Sequence, residues 1–390
     1  MLGILFFVFK HLHPMVPRGL FIYLAALLFV ACKEKKKVAV EGEAVRWELS
    51  EINNGHSYRI IKALPFETRE NNLLGLNLNV KFNGEGIFVL DEDNMDAVHH
   101  FDLSGKYLRP IALVGEGPGN VQNIRDFTLG DSTVIILTGK GDHSAISHFS
   151  FDNELLSTLE MGVIGGSFEL MENGNYIVYL GYNLPFAQFR LNEITPEGEI
   201  VNQILPNDYK NKMLPMMEKN FYKNRGIVYF KESFNPNAYQ LSADSLQLNY
   251  SADFGKYSIP NKFWELDIMQ GFEMINTQGF ANIVNYMETE HDAFFSVYVQ
   301  QQRDVQHIQV VYNKDSGTLS KSTFRKDGNS IFYHPVGFSG EHELLFVAHP
   351  AYLKEAVKQE DFDPDLKSLI LGLDEEDNPV LLFCKIEQRQ

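Results

Sequence analysis

The glycine-rich run Gly115-Glu116-Gly117-Pro118-Gly119 is the segment whose composition most resembles a phosphate-binding loop. Such a loop needs several backbone N–H groups that converge at the N-terminus of a helix. Pro118 has no N–H group, the Glu116 carboxylate repels phosphate, and no helical pattern follows. We therefore predict a tight crossover between two strands here rather than a phosphate site.

Two acidic segments, Asp91–Asp96 and Asp361–Asp365, place carboxylates at alternate positions. Several oxygen ligands of this kind suit a hard cation such as Ca²⁺. Neither segment has the glycine and the distant glutamate of the helix-loop-helix calcium site. We predict solvated acidic loops, with a surface calcium ion as the alternative, and we expect no other cofactor.

The twelve histidines are scattered, and no His-Glu-x-x-His motif or cysteine–histidine cluster is present. His99 and His100 are adjacent in a predicted strand, so their side chains point to opposite faces and cannot chelate one ion together. The chain also lacks the nucleophile motif Gly-x-Ser-x-Gly and a P-loop. The pattern favours neither a metal site nor an enzyme. It excludes neither, because a site can be assembled from separate strands.

The aromatic segment 176–190 holds Tyr179, Tyr182, Phe186 and Arg190 around a loop of Gly, Asn and Pro. Aromatic side chains exposed on such a loop could stack on sugar rings or on a partner peptide. In the alternative interpretation most of them fill the core between neighbouring sheets. Both interpretations stay open at this point.

Short runs rich in Val, Ile, Phe and Tyr recur after residue 45, separated by Gly, Asn, Asp and Pro. Gly86–Asp91, Thr133–Leu137 and Ala293–Gln300 have the length and composition of strands. Helical periodicity is largely absent before residue 350. The pattern predicts an all-β protein, built as a sandwich, a barrel or a propeller.

One element, a strand followed by a polar turn and a second strand, repeats along the chain. Its turns lie at Asp102, Asp152, Pro196, Ala243 and Asp315, which are 50, 44, 47 and 72 residues apart. A four-stranded propeller blade uses about 40–50 residues. The first three intervals match one blade each, and the fourth contains an additional connection within residues 256–280. With residues 329–390 as a further unit, the sequence predicts a six-bladed β-propeller.

A propeller closes when strands from the two ends of the chain pair in one blade, which leaves no free sheet edge. Ser57–Leu64 and Asn378–Ile386 have the composition of such strands. Tyr352–Gly372, which precedes the second of them, is predicted to be a helical excursion interrupted at Pro364. Cys384 is expected to be a buried core thiol.

Residues 1–31 have the features of a signal peptide. They contain two basic residues and no acidic one, and Leu20–Ala31 is an apolar run of 12 residues, too short to span a membrane. A small residue, Ala31, directly precedes Cys32, as in a bacterial lipoprotein cleavage site. We predict cleavage before Cys32 and a lipid anchor on it. Met15 is an alternative start of the chain.

The formal charge of −17 argues against nucleic acid as a partner. We expect residues 32–42 to form a lipidated, basic tether and residues 43–390 a single domain. The 34 basic and 51 acidic residues of the chain become 28 and 50 when the six basic residues and one acidic residue before Val38 are left out. The body from Val38 onward therefore carries a charge of −22, beside a tether that suits an anionic membrane surface.

Three features of the chain resemble the six-bladed β-propeller lipoproteins of bacteria over about residues 43–390. They are the leader that ends at Cys32, the terminal segment Asp377–Leu381, and the signature formed by Gly115, Gly117, Pro118, Gly119 and Asp126 after the strand at Phe101–Leu108. Asn120 and Val121 depart from the family pattern. The resemblance implies an exported protein of the cell envelope, at the outer membrane, with a structural role for the signature loop and no established activity.

Two functions follow from this reasoning. The first is a lipid-anchored, non-catalytic binding or scaffold module for a glycan, a peptide or a protein partner. The second is a glycan hydrolase or lyase with its site in the central funnel. Two clustered carboxylates in the funnel would favour the enzyme, and a funnel filled by apolar side chains would oppose it.

Overall fold

Antiparallel strands joined by short polar turns make up most of the structure, a computed structural model that describes residues 36–37, 40–117, 119–184, 186–208, 218–242, 245–302, 304–325, 330–359 and 362–388. The chain divides into residues 1–36 and a second unit of residues 37–390. The predicted leader, the lipid anchor at Cys32, Pro118 and the turn residue Ala243 lie outside the described residues.

The second unit contains six antiparallel sheets, which are the blades of the predicted propeller. Four strands precede blade 1: β1 (Lys36–Lys37), β2 (Val40–Glu41), β3 (Val45–Glu48) and β4 (His56–Pro65). Blade 1 contains β5 (Leu78–Asn83), β6 (Gly86–Asp91), β7 (Val98–Phe101) and β8 (Tyr107–Ile111). Blade 2 contains β9 (Ile124–Leu129), β10 (Thr133–Lys140), β11 (His143–Ser150) and β12 (Leu155–Met161). Blade 3 contains β13 (Ser167–Leu170), β14 (Tyr176–Tyr179), β15 (Phe189–Ile194) and β16 (Ile200–Pro206).

The remaining blades continue the same order. Blade 4 contains β17 (Phe221–Asn224), β18 (Ile227–Lys231), β19 (Asn237–Leu241) and β20 (Leu246–Asp253), and β2 and β3 pair with β20 in parallel. Blade 5 contains β21 (Phe280–Glu288), β22 (Asp292–Gln301), β23 (Asp304–Asn313) and β24 (Thr318–Arg325). Blade 6 contains β25 (His334–Ser339), β26 (Glu343–Ala348), β27 (Val380–Gln388) and, as its outer strand, β4.

The repeating turn found in the sequence is the turn between the third and fourth strands of a blade. Asp102, Asp152, Pro196 and Asp315 lie in these turns in blades 1, 2, 3 and 5. Blade 6 lacks such a turn because its fourth strand comes from the other end of the chain. For this reason the sequence shows the turn in five repeats but not in the sixth, at residues 329–390.

Closure by strands from both ends of the chain is confirmed. β4 pairs antiparallel with β27, with Leu64 opposite Leu381 and Ile60 opposite Cys384. Asn378, which is buried, extends this link because its side-chain amide donates to the carbonyl oxygens of Glu67 at 3.1 Å and Asn72 at 3.0 Å. The ends of the chain are thus joined by a strand ladder and by a side chain that holds the loop leading to blade 1.

The apolar core lies between neighbouring blades, because each sheet buries both faces against the next. One cluster joins Phe88 and Leu90 of blade 1 to Phe127, Val134 and Ile136 of blade 2. Cys384 belongs to the cluster between blades 5 and 6 and is fully buried, as predicted for a core thiol. Burial raises the pKa of this thiol far above its usual range.

The helices lie on one face of the propeller, which we call the first face. Successive strands of a blade run in opposite directions. The connection that enters the inner strand and the connection between the second and third strands therefore lie on the same face of the propeller. Two helices, α1 (Asn261–Glu265) and α2 (Ile268–Gln278), follow a 3₁₀ turn at Gly255–Tyr257 between blades 4 and 5. Two more, α3 (Pro350–Gln359) and α4 (Pro364–Gly372), connect β26 to β27. None of the helices in the described ranges is long and apolar enough to cross a membrane.

The sequence pattern predicts little helix before residue 350, and α2 shows that this prediction is wrong for residues 268–278. Asp267 caps the helix by accepting the backbone N–H groups of Met269 and Gln270. The helix then packs Phe272 and Ile275 into an apolar cluster with Phe263 of α1. The apolar period is short, and the cluster also contains Tyr182 and Phe234, which are distant in sequence. These tertiary contacts therefore stabilise a helix that the local pattern does not predict.

Candidate functional site

The inner strands of the six blades surround a central channel with a cavity of about 730 Å³. All six inner strands enter from the first face and run in the same direction, since each begins after a connection on that face. Every blade contributes side chains to the lining. Representative lining residues are Asn79 and Lys81 of blade 1, Asp126 and Thr128 of blade 2, Glu169 of blade 3, Lys223 of blade 4, Asn285 of blade 5 and Phe338 of blade 6.

Strand periodicity places these side chains in the channel. In β5, Leu78 and Val80 are buried, whereas Asn79 and Lys81 between and after them are only half-buried. Alternate residues of a strand point to opposite sides, so one set packs in the core while the other meets the channel. The same short strand therefore supplies both a core contact and a functional group.

A buried ion pair connects blades 1 and 3 in the channel wall. The Lys81 ammonium lies 3.0 Å from Oε2 of Glu169, whose side chain is 0 % exposed. The hydroxyl of Thr128, in blade 2, donates to Oε1 of the same carboxylate, and the backbone N–H of Leu170 donates to it at 3.0 Å. The Lys223 ammonium of blade 4 lies 3.9 Å from Oε1. Four blades thus converge on one carboxylate.

Asp126 is the second carboxylate of the channel wall. Its Oδ1 accepts the backbone N–H of Phe127 at 2.8 Å and the Asn79 amide at 3.3 Å. Its Oδ2 accepts the backbone N–H of Phe168, in the next blade, at 3.0 Å. Burial raises the pKa of Asp126 to about 7, although the charge of Lys81 lowers it. The proton affinity of this carboxyl group is therefore suited to exchange near neutral pH.

The mouth of the channel on the first face carries a second set of charges. The Lys219 ammonium donates to the carbonyl of Leu78 at 2.8 Å and lies 3.4 Å from Glu92. Burial raises the pKa of Glu92. Glu218 lies 3.3 Å from the ammonium of Lys231, which is almost fully buried. Glu92 and Glu218 thus each have a lysine partner.

The residues predicted to form a signature loop divide into two groups. Gly115, Gly117 and Gly119 lie in the exposed connection between β8 and β9, where the N–H of Gly115 donates to Val121 at 3.0 Å. Gly119 has a φ of +82°, which favours glycine. This part forms a tight crossover between blades and contributes no lining to the channel. Asp126, by contrast, lies on the channel wall.

The aromatic segment is mostly internal. Tyr179 and Tyr182 are buried, and the Tyr182 ring lies 4.8 Å from that of Trp264 in α1. The guanidinium of Arg190 is buried and pairs with Glu232 at 2.8 Å. Of the four predicted contact residues, only Phe186 is exposed, at 69 %. The segment therefore joins blades 3 and 4 to the helices of the first face, away from the channel.

The acidic segments also form local structure. Asp91 accepts the backbone N–H groups of Gly75 at 2.7 Å and Asp93 at 3.0 Å. Asp363 caps α4, and Asp361 lies outside the described residues. These contacts account for both carboxylates as turn and cap acceptors.

A different group, Glu290, His291 and Glu341, could in principle hold a metal ion, since its ligand atoms lie within 4.8 Å of one another. The guanidinium of Arg225 pairs with both of these glutamates. His291 pairs with Asp315 at 2.9 Å. An ion at this position would have to displace Arg225, so the contacts favour a surface ion-pair network.

Lys81, Glu169 and Lys223 were not among the site residues predicted from the sequence. Each is a single charged residue in a short strand, and their separation along the chain gives no motif. A signal does exist, because Lys81 stands between Val80 and Phe82, and Glu169 stands between Phe168 and Leu170. Apolar neighbours on both sides place the charged side chain on the opposite face of the strand, which in the inner strand of a blade is the side of the channel.

Comparisons with known proteins support the fold. The chain is similar to a candidate exported protein of Bacteroides fragilis, at 17 % identity and a TM-score of 0.73, over 88 % of this chain and 100 % of the other. A Bacteroides caccae protein of unknown function has 13 % identity and a TM-score of 0.38, over 69 % and 94 %. Virginiamycin B lyase of Staphylococcus aureus has 9 % identity and a TM-score of 0.40, over 84 % and 99 %. The last two similarities are too low to support a conclusion.

No curated protein matches the sequence. A family model does match, over residues 44–385, which includes all six blades and the closing strand β4. The predicted resemblance to bacterial propeller proteins without an assigned function is thereby confirmed, while the lipid anchor stays a prediction. The chain belongs to the family described as Domain of unknown function (DUF4934).

Proposed function

We propose that this protein is a binding module that takes a saccharide into its central channel. The observation that supports this function is a channel lined by polar side chains from several blades, around the Lys81–Glu169 pair. A cavity of about 730 Å³ is within the range that accommodates small ligands, which is about 300–1,000 Å³.

The lining favours a hydroxyl-rich ligand. Asn79 and Asn285 offer both donors and acceptors, and the half-buried ring of Phe338 offers an apolar face for a sugar ring. Apolar side chains alone would leave the hydroxyl groups of a sugar without partners, and charged groups alone would leave its C–H face unpacked. The channel combines both kinds of surface.

The module would act at the bacterial envelope, held to the membrane by a lipid on Cys32. This part of the proposal is supported by the sequence of the leader and the basic tether. Labelling cells with a lipid precursor tests it. We expect the wild-type protein to incorporate label and Cys32→Ser to lose it, and continued labelling of Cys32→Ser would contradict the anchor. A peptide or protein partner is the alternative ligand class.

Binding can be tested with residues 33–390 by calorimetry and thermal shift against a panel of neutral and acidic oligosaccharides. Asn285→Leu keeps the side-chain volume and removes the amide, so we expect weaker binding. Asn276→Leu, on the exposed side of α2, is the matched control and should bind normally. If no saccharide of the panel binds, or if both variants behave alike, the channel is not a saccharide site.

A glycan hydrolase or lyase is the second candidate, and one arrangement favours it. Asp126, with its pKa near 7, lies close enough to Lys81 and Glu169 for their charges to affect its ionisation. A carboxyl group that exchanges its proton near neutral pH can act as a general acid or base. An assay for new reducing ends and for unsaturated uronates tests this reading. Turnover that Asp126→Asn abolishes, with binding retained, would favour the enzyme over the binding module.

A further inference from the structure

We infer that the saccharide bound in the channel is a short acidic one, whose carboxylate pairs with Lys81 and Lys223. This inference rests on the proposed binding function and names the chemical class of its ligand. It follows from the different exposure of the charges that meet in the channel wall.

The negative charge of Glu169 is hidden from the ligand. Glu169 is 0 % exposed, and both of its oxygens are used by Thr128, Leu170 and Lys81. The lysine side chains in front of it are 20 % exposed for Lys81 and 26 % exposed for Lys223. A molecule in the channel therefore meets ammonium groups before it meets the carboxylate.

The two ammonium groups also have donors to spare. An ammonium group has three N–H donors. In the described part of the chain, the Lys81 ammonium donates to Glu169 and the Lys223 ammonium donates to the carbonyl of Leu170 at 2.7 Å. Charge-assisted hydrogen bonds to a ligand carboxylate would use the remaining donors and balance the second positive charge.

Asp126 offsets this charge when it is ionised. Its oxygens accept three N–H groups, from Phe127, Phe168 and Asn79, so it has few acceptor positions left for a ligand. The cluster then contains two ammonium and two carboxylate groups. When Asp126 is protonated, the two ammonium groups share a single carboxylate, that of Glu169. An anionic group of the ligand can then act as the second negative partner.

The charge of the whole body favours a short ligand. From Val38 onward the chain carries a charge of −22, which repels a long polyanion. Screening limits this repulsion to about 8 Å at physiological ionic strength. A mono- to trisaccharide inside the channel is close to the lysines, whereas the rest of a long polymer would lie against the acidic surface.

Calorimetry with residues 33–390 can test the inference, with trigalacturonic acid and its methyl ester as matched ligands. We expect the acid to bind about tenfold more tightly than the neutral ester. Lys223→Met should reduce binding of the acid about tenfold and leave the ester unaffected. Lys140→Met removes a charge of the same kind from an exposed pair with Glu160 and should change neither. Asp126→Asn should strengthen binding of the acid, which a general loss of structure would not do.

A second variant covers the case in which a lysine substitution impairs folding. Lys81→Met, Lys223→Met and Glu169→Gln together remove both ammonium groups and the carboxylate that lies near them, so neither a lysine nor Glu169 is left charged without its partner. We expect it to fold and to lose the preference for the acid.

Equal binding of acid and ester, unchanged in Lys223→Met, would overturn the inference and leave saccharide binding intact. Inorganic phosphate that binds through Lys223 as tightly as the acid would also overturn it, in favour of a free anion. Absence of binding by either saccharide would overturn both proposals.

Discussion

The Lys81 ammonium and the Glu169 carboxylate, 3.0 Å apart, join the inner strands of blades 1 and 3, which are not neighbours in the propeller. Blade 2 lies between them and contributes the Thr128 hydroxyl to the same carboxylate. The pair therefore couples three blades at the axis of the fold. It has both a structural role and, in our proposal, a role in ligand binding.

Lys81→Met should lower the free energy of unfolding by about 2–3 kcal/mol, because the buried Glu169 carboxylate loses its closest positive partner. Lys223 and Thr128 limit the loss. The double variant Lys81→Met/Glu169→Gln should lose less than the sum of the single variants, and urea denaturation of all four proteins measures the difference. Strict additivity would mean that the two side chains do not interact.

Asn378→Ala should loosen the closure of the propeller. The buried Asn378 amide donates to the carbonyls of Glu67 and Asn72, and its Oδ1 accepts the N–H of Leu74 at 2.9 Å. Loss of these bonds leaves backbone groups without partners, at a cost of about 2–4 kcal/mol in total. Thermal unfolding and proteolysis near residues 66–77 measure the effect. Asn276→Ala is the exposed control, and equal stability of the two variants would refute a special role for Asn378.

Binding of an acidic saccharide should strengthen as the pH falls from 8 to 6. Burial raises the pKa of Asp126 to about 7, with Lys81 lowering it and Glu169 and Glu92 raising it. Below that pH the carboxyl group is neutral and no longer repels the ligand carboxylate, which stays ionised. We expect about a fivefold change in affinity, measured by calorimetry. In Asp126→Asn the pH dependence should be flat, and a persistent slope would assign it to another group.

Acid should destabilise the protein through His307. Burial lowers the pKa of this side chain to about 3, and in the described residues neither ring nitrogen has a hydrogen-bond partner. The pKa of histidine in the unfolded chain is about 6.5, so the unfolded state binds the proton more tightly. The contribution of the neutral His307 ring to the free energy of unfolding is complete above pH 6.5. It is lost as the pH falls from about 6.5 to 3, at about 1.4 kcal/mol per pH unit.

His307→Phe removes this titration while it retains a ring among Tyr298, Phe324 and Tyr333. We expect the variant to lose less stability than the wild type between pH 7 and pH 4, measured by urea denaturation at each pH. Parallel pH profiles for the two proteins would show that His307 does not contribute.

Much of the architecture follows from local patterns. The turns at Asp102, Asp152 and Pro196 recur at the interval of one blade, because each blade ends in the same outer hairpin. The closing strands at Ser57–Leu64 and Asn378–Ile386 were recognisable since both are apolar and lie at the ends of the repeats. The helix Ile268–Gln278 was not, because its stability depends on Phe263 and other residues outside the helix.

The channel site, unlike the fold, does not follow from local sequence patterns. Strand alternation and turn spacing are local properties, so the sequence by itself determined the six-bladed fold, its closure and the burial of Cys384. The meeting of Lys81, Asp126, Glu169 and Lys223 depends on which inner strands face one axis. Only the tertiary structure decided it, because these residues come from four different blades. Burial in the channel wall, and not the spacing of residues along the chain, raises the pKa of Asp126.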